Sequence, residues 1–341
     1  MALTLIPQAL KMVNSPHGGL RGCQTSLHCG EKGLRIAAQI CRFRATLLLK
    51  GPNRGETIMS DAAAFYRSVL YIPASKERAL DKARTLDCDA IIFDLEDAVT
   101  PGEKASARET LARELAKGGY GHRQRIVRIN ALDTEWGRDD AKSVATMDCD
   151  AVLLPKVDGP ADTAALAELT GDLPIWCMLE TPRGVLNALA IADHAPVAGF
   201  ILGTNDLAKD IGCATGGDRL AMMTALQTCL MAARAAGIIC VDGVYNAFKD
   251  DEGLKVECQQ GKALGMDGKT LIHPAQLAIA NAAFAPTQDQ IDLANAQIEA
   301  FDAALARGEG VAVVDGKIVE NLHIETARAT LARADAIARR I

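Results

Sequence analysis

At 341 residues, 49% of them hydrophobic and 23% charged, with a net charge of −6, the chain has ample material for a packed core. The acidic balance and the lack of a basic stripe with interleaved aromatics exclude the usual features of a nucleic-acid binder. No window approaches ~18 uninterrupted apolar residues, so no membrane-spanning helix is expected. Ten cysteines are scattered without a CxxC pair, several inside apolar runs (Cys177, Cys240), and read as reduced thiols of a cytoplasmic protein.

The first 58 residues carry eight Lys or Arg against two acids and show no clean periodicity, which leaves the remainder at about −12. This basic extension is read as an over-extended start ahead of Met59 or as a targeting segment, with an accessory segment as the third reading. No chemistry is assigned to it. A main domain is expected over 59–285 and a C-terminal segment over 286–341.

From Ser68 onward, short apolar runs alternate with amphipathic stretches. The runs are "SVLYIPA" (68–74), "AIIFDLE" (90–96), "RIVRIN" (125–130), "AVLLPK" (151–156), "PIWCMLE" (174–180), "GFILGTND" (199–206), "GIICVDGV" (237–244) and "GKTLIH" (268–273). Segments between them, such as "SKERALDKARTL" and "ALQTCLMAARAA", repeat apolar residues at three and four and predict helices. Continuous apolar strands separated by helices predict parallel strands joined by crossovers. Eight such units predict an α/β fold, a (β/α)8 TIM barrel, with a doubly wound open sheet as the competitor.

Most runs end in a polar residue: Glu96, Arg128 with Asn130, Lys156, Glu180, Asp206, Asp242 and His273. In a barrel these ends converge on the mouth where active sites are built. Glu180 and Asp206, closing successive strands with no Cys or His nearby in sequence, suit Mg2+, a hard cation that takes one or two protein carboxylates and keeps several waters. The alternative is a structural salt bridge with Arg128 or Lys156. Arg128 is placed to grip a carboxylate with a two-pronged hydrogen bond. Metal plus arginine predicts a small acid with a neighbouring oxygen as ligand, such as a 2-hydroxy or 2-oxo acid. The crowded acids of "FDLEDAV", Asp94, Glu96 and Asp97, need positive charge beside them. A hydrated magnesium is the expected source, with Asp94 facing the barrel wall. The motifs GxxxxGK[ST], GxGxxG, GxSxG and HExxH are absent.

In order along the chain, "RSVLYIPAS", "FDLEDAVTPGEK", "VRIN", "LLPKV", "LETPRG", "GTNDLAKDIG", "DGVYNAFKDDEGL" and "GMDGKTLIHPAQL" resemble the signature segments of the HpcH/HpaI aldolase and citrate lyase beta-subunit-like family, which includes malyl-CoA lyases. The resemblance runs from about Arg67 to the C-terminus. It implies a (β/α)8 barrel, Mg2+ as cofactor, an acyl-CoA thioester as substrate and a homotrimer or homohexamer. By the same resemblance Glu180 and Asp206 hold the metal and Arg128 clamps the substrate carboxylate. Tyr71, Lys76 and Lys82 lie near the CoA moiety, Glu96 and Asp97 support metal-bound waters, and His273 of "IHP" lines the thioester pocket.

The tail reads as a helix, a hairpin "VAVVDGKIV" and a last helix. In malyl-CoA and citramalyl-CoA lyases this tail is a lid that brings an aspartate to a neighbouring subunit's site. The matching position here is Glu320, one methylene longer, a displacement of ~1 Å or more that bears on proton transfer. The entrance "RSVLYIPAS" and the tail "GKIVENLH" look most like the branch that hydrolyses (3S)-malyl-CoA. The expected activity is therefore Mg2+-dependent hydrolysis of (3S)-malyl-CoA to (S)-malate and CoA, with Glu320, Arg128 and Asp97 as catalytic residues. The alternatives are a carbon-carbon lyase acting on malyl-CoA, methylmalyl-CoA or citramalyl-CoA, and a citrate lyase beta-like subunit.

Overall fold

The computed structural model of the chain describes residues 65–215 and 217–340, and the extension expected over 1–58 lies outside them. Eight parallel strands close into a barrel in sequence order. They are β1 (Ser68–Pro73), β2 (Ala90–Asp94), β3 (Gln124–Arg128), β4 (Ala151–Leu154), β5 (Ile175–Leu179), β6 (Val197–Leu202), β7 (Ile239–Asp242) and β8 (Gly268–Leu271). Each lies within or overlaps one of the apolar runs of the sequence. β1 pairs with β8, Ser68 opposite Lys269 and Leu70 opposite Leu271, and this closure excludes the open sheet.

Strands buried on both faces explain the unbroken apolar runs: β2, "AIIFD", is buried at every position. Successive side chains still alternate in direction. Val69, Ile92, Ile126, Trp176, Met178, Ile201 and Val241 share one cluster, the barrel interior. Leu70, Ile91, Phe93, Val127 and Leu179 belong to a larger one, packed under the helices. Two-residue steps from Val69, Ile92, Ile126 and Met178 lead to Tyr71, Asp94, Arg128 and Glu180, so these four continue the interior upward into the mouth. Asp94 therefore points inward, not at the barrel wall.

Two glycines of β6 and its exit make room for β5. A Cβ at Gly199 would lie 2.8 Å from the Trp176 ring, and one at Gly203 would lie 2.4 Å from the Glu180 Cβ. Neither position has space for a larger residue without displacing its neighbour.

The tail carries helices Gln288–Ala306 and Asn321–Ala338 around the antiparallel hairpin β9 (Ala312–Val314) and β10 (Lys317–Val319). Asp315 and Gly316 both take positive φ at the hairpin tip, 49° and 74°, as an Asp-Gly turn favours. Phe301, Ala304, Ala312, Val319 and Ile324 form a small separate core. The end of the last helix reaches the N-terminal rim of the barrel, where Arg333 donates to the Asp267 carbonyl at 3.2 Å and Arg340 pairs with Asp89 at 3.2 Å.

Asp242 lies one step from the inward-facing Val241, and so faces the helix layer rather than the mouth the sequence suggests. Arg219 Nη1 donates to both its oxygens at 2.8 and 2.9 Å, and Lys269 Nζ lies 3.3 Å away. Lys269 also pairs with Glu257 at 2.7 Å, and both Asp242 and Lys269 are fully buried. Although burial favours the neutral acid, Lys269 and Arg219 hold the Asp242 carboxyl below its ordinary range. Replacing Asp242 leaves Glu257 as the single carboxylate facing two buried cations, 2.7 Å from Lys269 and 3.7 Å from Arg219, so Asp242→Asn should lower unfolding stability by on the order of 3 kcal/mol in urea titrations. A loss under ~1 kcal/mol would mean that the cluster does not anchor β7 to the surrounding helices.

Candidate active site

A cavity of about 400 Å³ opens at the C-terminal ends of the strands, lined among others by Tyr71, Arg128, Glu180, Asp206, Asn246 and Ile272. Barrels of this type place their chemistry on this face.

Arg128 is buried and organises one side of the mouth. Its Nε donates to Asp94 Oδ1 at 2.8 Å and its Nη2 to Oδ2 at 2.6 Å. Nη1 lies 2.6 Å from Glu96 Oε2 and 3.4 Å from Asp97 Oδ2. The guanidinium carbon sits 5.0 Å from the Tyr71 ring centroid. Asp94 also accepts the N–H groups of Glu96 and Ala98 at 2.9 and 3.0 Å, which fixes the turn that carries its two acidic neighbours. The positive partner of "FDLED" is thus Arg128, where the sequence pointed to a hydrated magnesium. One two-pronged edge of Arg128, Nε with Nη2, is already engaged within the protein, and the outer edge left for a ligand, Nη1 with the second Nη2 N–H, is shared with Glu96.

Glu180 is in the opposite situation. Its Oε1 accepts the backbone N–H of Lys156 at 2.8 Å. Burial, reinforced by the negative charges of Glu96 and Asp206, pushes its carboxyl up to about 8. Asp206 lines the same cavity from the first turn of helix Thr204–Ile211, not from a strand end. Lys156 occupies the left-handed region, φ 53°, with Nζ 3.5 Å from Glu96 Oε1.

Among the described residues no group of three or more His, Cys, Asp or Glu could enclose a metal. A hydrated Mg2+ does not require one, since one or two carboxylates suffice. A buried carboxylate that resists ionising beside a second acid is what a bound divalent cation would relieve. Glu180 and Asp206 fit a magnesium site on that ground.

The remaining predicted residues are dispersed. Asp97 lines the cavity with an exposed side chain. Lys76 and Lys82 lie on the surface around helix Glu77–Ala83, outside the cavity lining, and Lys76 Nζ is 3.5 Å from Glu103. His273 is exposed and outside the lining; its Nδ1 accepts the Ala275 N–H at 3.2 Å and its ring lies 4.9 Å from that of Phe248. Glu320 is exposed at the start of the last helix and takes no part in lining its own chain's mouth. Sequence reasoning passed over Asp94, Met178, Asn205 and Asn246 as lining residues. The period of two from Ile92 and Trp176 would have found the first pair. Asn205 and Asn246 exchange amide hydrogen bonds of 3.2 and 2.7 Å between the first turn of helix Thr204–Ile211 and the loop after β7, a contact with no local signal.

The model of the HpcH/HpaI aldolase/citrate lyase family matches residues 67–274. The chain belongs to that family. It is 60% identical over 280 residues to the (3S)-malyl-CoA thioesterase of Cereibacter sphaeroides (strain KD131 / KCTC 12085), covering 82% of this chain and 98% of that protein. It is 34% identical over 282 residues to the citrate lyase subunit beta of Escherichia coli (strain K12), covering 79% and 93%. Among solved structures, CitE from Mycobacterium tuberculosis in complex with magnesium, acetoacetate and coenzyme A superposes with a TM-score of 0.68 at 28% identity, covering 80% of this chain and 99% of that one. RipC from Yersinia pestis gives a TM-score of 0.57 at 30% identity, covering 66% and 97%. The matched span in this HpcH/HpaI member starts one residue before β1 and ends three residues after β8.

The raised Glu180 carboxyl gives the metal-free chain a pH signature. Below its ordinary value of 4.5 the group is protonated folded and unfolded; from there to about 8 only the unfolded chain ionises, so rising pH weakens the fold. The full penalty is on the order of 5 kcal/mol. In excess chelator, Glu180→Gln should melt progressively higher than wild type as pH rises from ~5.5 to ~8.5. A difference that stays constant over this range would mean that Glu180 ionises normally in the mouth.

Proposed function

We propose that the chain is a cytoplasmic Mg2+-dependent thioesterase that hydrolyses (3S)-malyl-CoA to (S)-malate and CoA and works as a homotrimer or homohexamer. The observation that carries hydrolysis is the 60% identity across 98% of the (3S)-malyl-CoA thioesterase, against 34% to the citrate lyase subunit. No helix among the described residues is long and apolar enough to cross a membrane.

Glu180 and Asp206 hold the cation, and Arg128 meets the substrate carboxylate through its outer Nη1–Nη2 edge. Bound there, Mg2+ supplies Lewis-acid stabilisation for negative charge developing on substrate oxygen. Tyr71 supports the guanidinium from below and walls the cavity against water. The nucleotide tail leaves over the β1 side, where the ammonium groups of Lys76 and Lys82 meet phosphates. His273 borders the thioester on the β8 side.

Water adds to the thioester carbonyl carbon, the carbon-sulfur bond breaks, and the thiol leaves with a proton. A carboxylate must accept the proton of the attacking water. Asp97 stands at the cavity edge, and Glu320 arrives from a neighbouring copy, because it does not enter the mouth of its own barrel. Val313, Ile318 and Leu322, exposed by 65%, 61% and 69% beside Glu320, give the tail an apolar surface for covering that neighbour.

Incubation with malyl-CoA and Mg2+ should release free malate and CoA without glyoxylate. Glyoxylate and acetyl-CoA in equal amounts would instead establish carbon-carbon cleavage. Separately, inactive Glu320→Ala and Arg128→Ala subunits should regain activity when mixed and reassembled, since some mouths then receive both intact groups. Proven mixed oligomers without recovery would sink the assignment of Glu320 to a neighbour's site.

A further inference from the structure

Glu96 faces two cations at once. Its Oε2 lies 2.6 Å from Arg128 Nη1 and its Oε1 lies 3.5 Å from Lys156 Nζ. Asp94 engages the Nε–H and one of the two Nη2 N–H groups of Arg128. An incoming carboxylate that grips the outer edge, Nη1 together with the second Nη2 N–H, meets Glu96 already 2.6 Å from Nη1 and displaces it. Its side chain is only 9% exposed, so leaving it without a cation is strongly unfavourable. Among the described ion pairs, Lys156 is the other cation within reach, and its half-exposed side chain has freedom to close the 3.5 Å gap.

We infer that Lys156 is a positioning residue that takes over Glu96 when Arg128 turns its outer edge to the substrate carboxylate. The backbone supports this role. Lys156 sits in a left-handed conformation that a glycine adopts more readily, φ 53°, and its N–H is tied to Glu180 at 2.8 Å. A side chain retained on such a turn, with its base fixed to one carboxylate and its ammonium beside another, can move only at its far end. Glu96 is thereby passed between two cations rather than released into the buried mouth.

The inference rests on Arg128 as the carboxylate clamp of the proposed function, but not on whether the thioester is hydrolysed or the carbon chain cleaved. The test is therefore equilibrium binding of (S)-malate in the presence of Mg2+, by calorimetry on the full chain. Lys156→Met should weaken malate about fivefold, and Lys156→Arg should stay within about twofold of wild type. On a Glu96→Gln background, where no anion has to be rehoused, Lys156→Met should have less than about a twofold further effect. With malyl-CoA the Lys156→Met loss should fall on KM, with kcat within about twofold. Equal weakening with and without Glu96→Gln, or no weakening in Lys156→Met alone, would overturn the exchange. Thermal melting of each variant separates these outcomes from loss of fold. Glyoxylate from the wild-type enzyme would defeat the hydrolytic reading and leave the malate cycle standing.

Discussion

The mouth of the barrel depends on the forked bond between Arg128 and Asp94. It places a full positive charge in a nearly closed interior and neutralises it with a carboxylate from the neighbouring strand. The same carboxylate holds the turn that carries Glu96 and Asp97. Once this pair is made, the remaining acids have less cationic support than their number requires. Glu180 bears the consequence because it is the one among them whose ionisation burial resists most strongly. The charge imbalance that favours a divalent cation at Glu180 and Asp206 thus follows from Arg128 being committed elsewhere.

Most of the fold was legible because its signals are local. Eight apolar runs became eight strands, and their order became the order of the closed barrel. The site was legible in part. Arg128, Glu180 and Asp206 were selected by residue type and position and do share one cavity. Direction was the weak point: Asp94 and Asp242 end the strands β2 and β7 in similar fashion, yet one faces the mouth and the other the helix layer. Counting alternate residues from Ile92 and Val241 distinguishes them, whereas reading both simply as strand ends does not. The partners of Asp242 were beyond reach from sequence, since Arg219 comes from a distant loop and Lys269 from the next strand.

The tail illustrates a different limit. Its helix, hairpin and helix are readable from apolar spacing and an Asp-Gly turn, but their placement is decided by long-range contacts. Arg333 and Arg340 bring the last helix to the rim where the strands begin, and both guanidinium groups lie against Phe65 at 5.9 and 4.7 Å. Eighteen helical residues, spanning roughly 27 Å, separate the Arg340 contact from Glu320. A carboxylate carried on such an arm is rigidly referenced to the floor of its own barrel while remaining outside its own mouth.

The space for Glu180 is created on the adjacent strand's exit, where Gly203 has no side chain to contest it. Carboxylate and vacancy are therefore one unit of inheritance split across two strands. Along a lineage, a side chain gained at 203 must be accompanied by a shorter residue at 180, and the buried carboxylate disappears with it. A descendant barrel could keep its closure, its buried ionic cluster and its tail after that paired change, and still have lost the chemistry of its mouth.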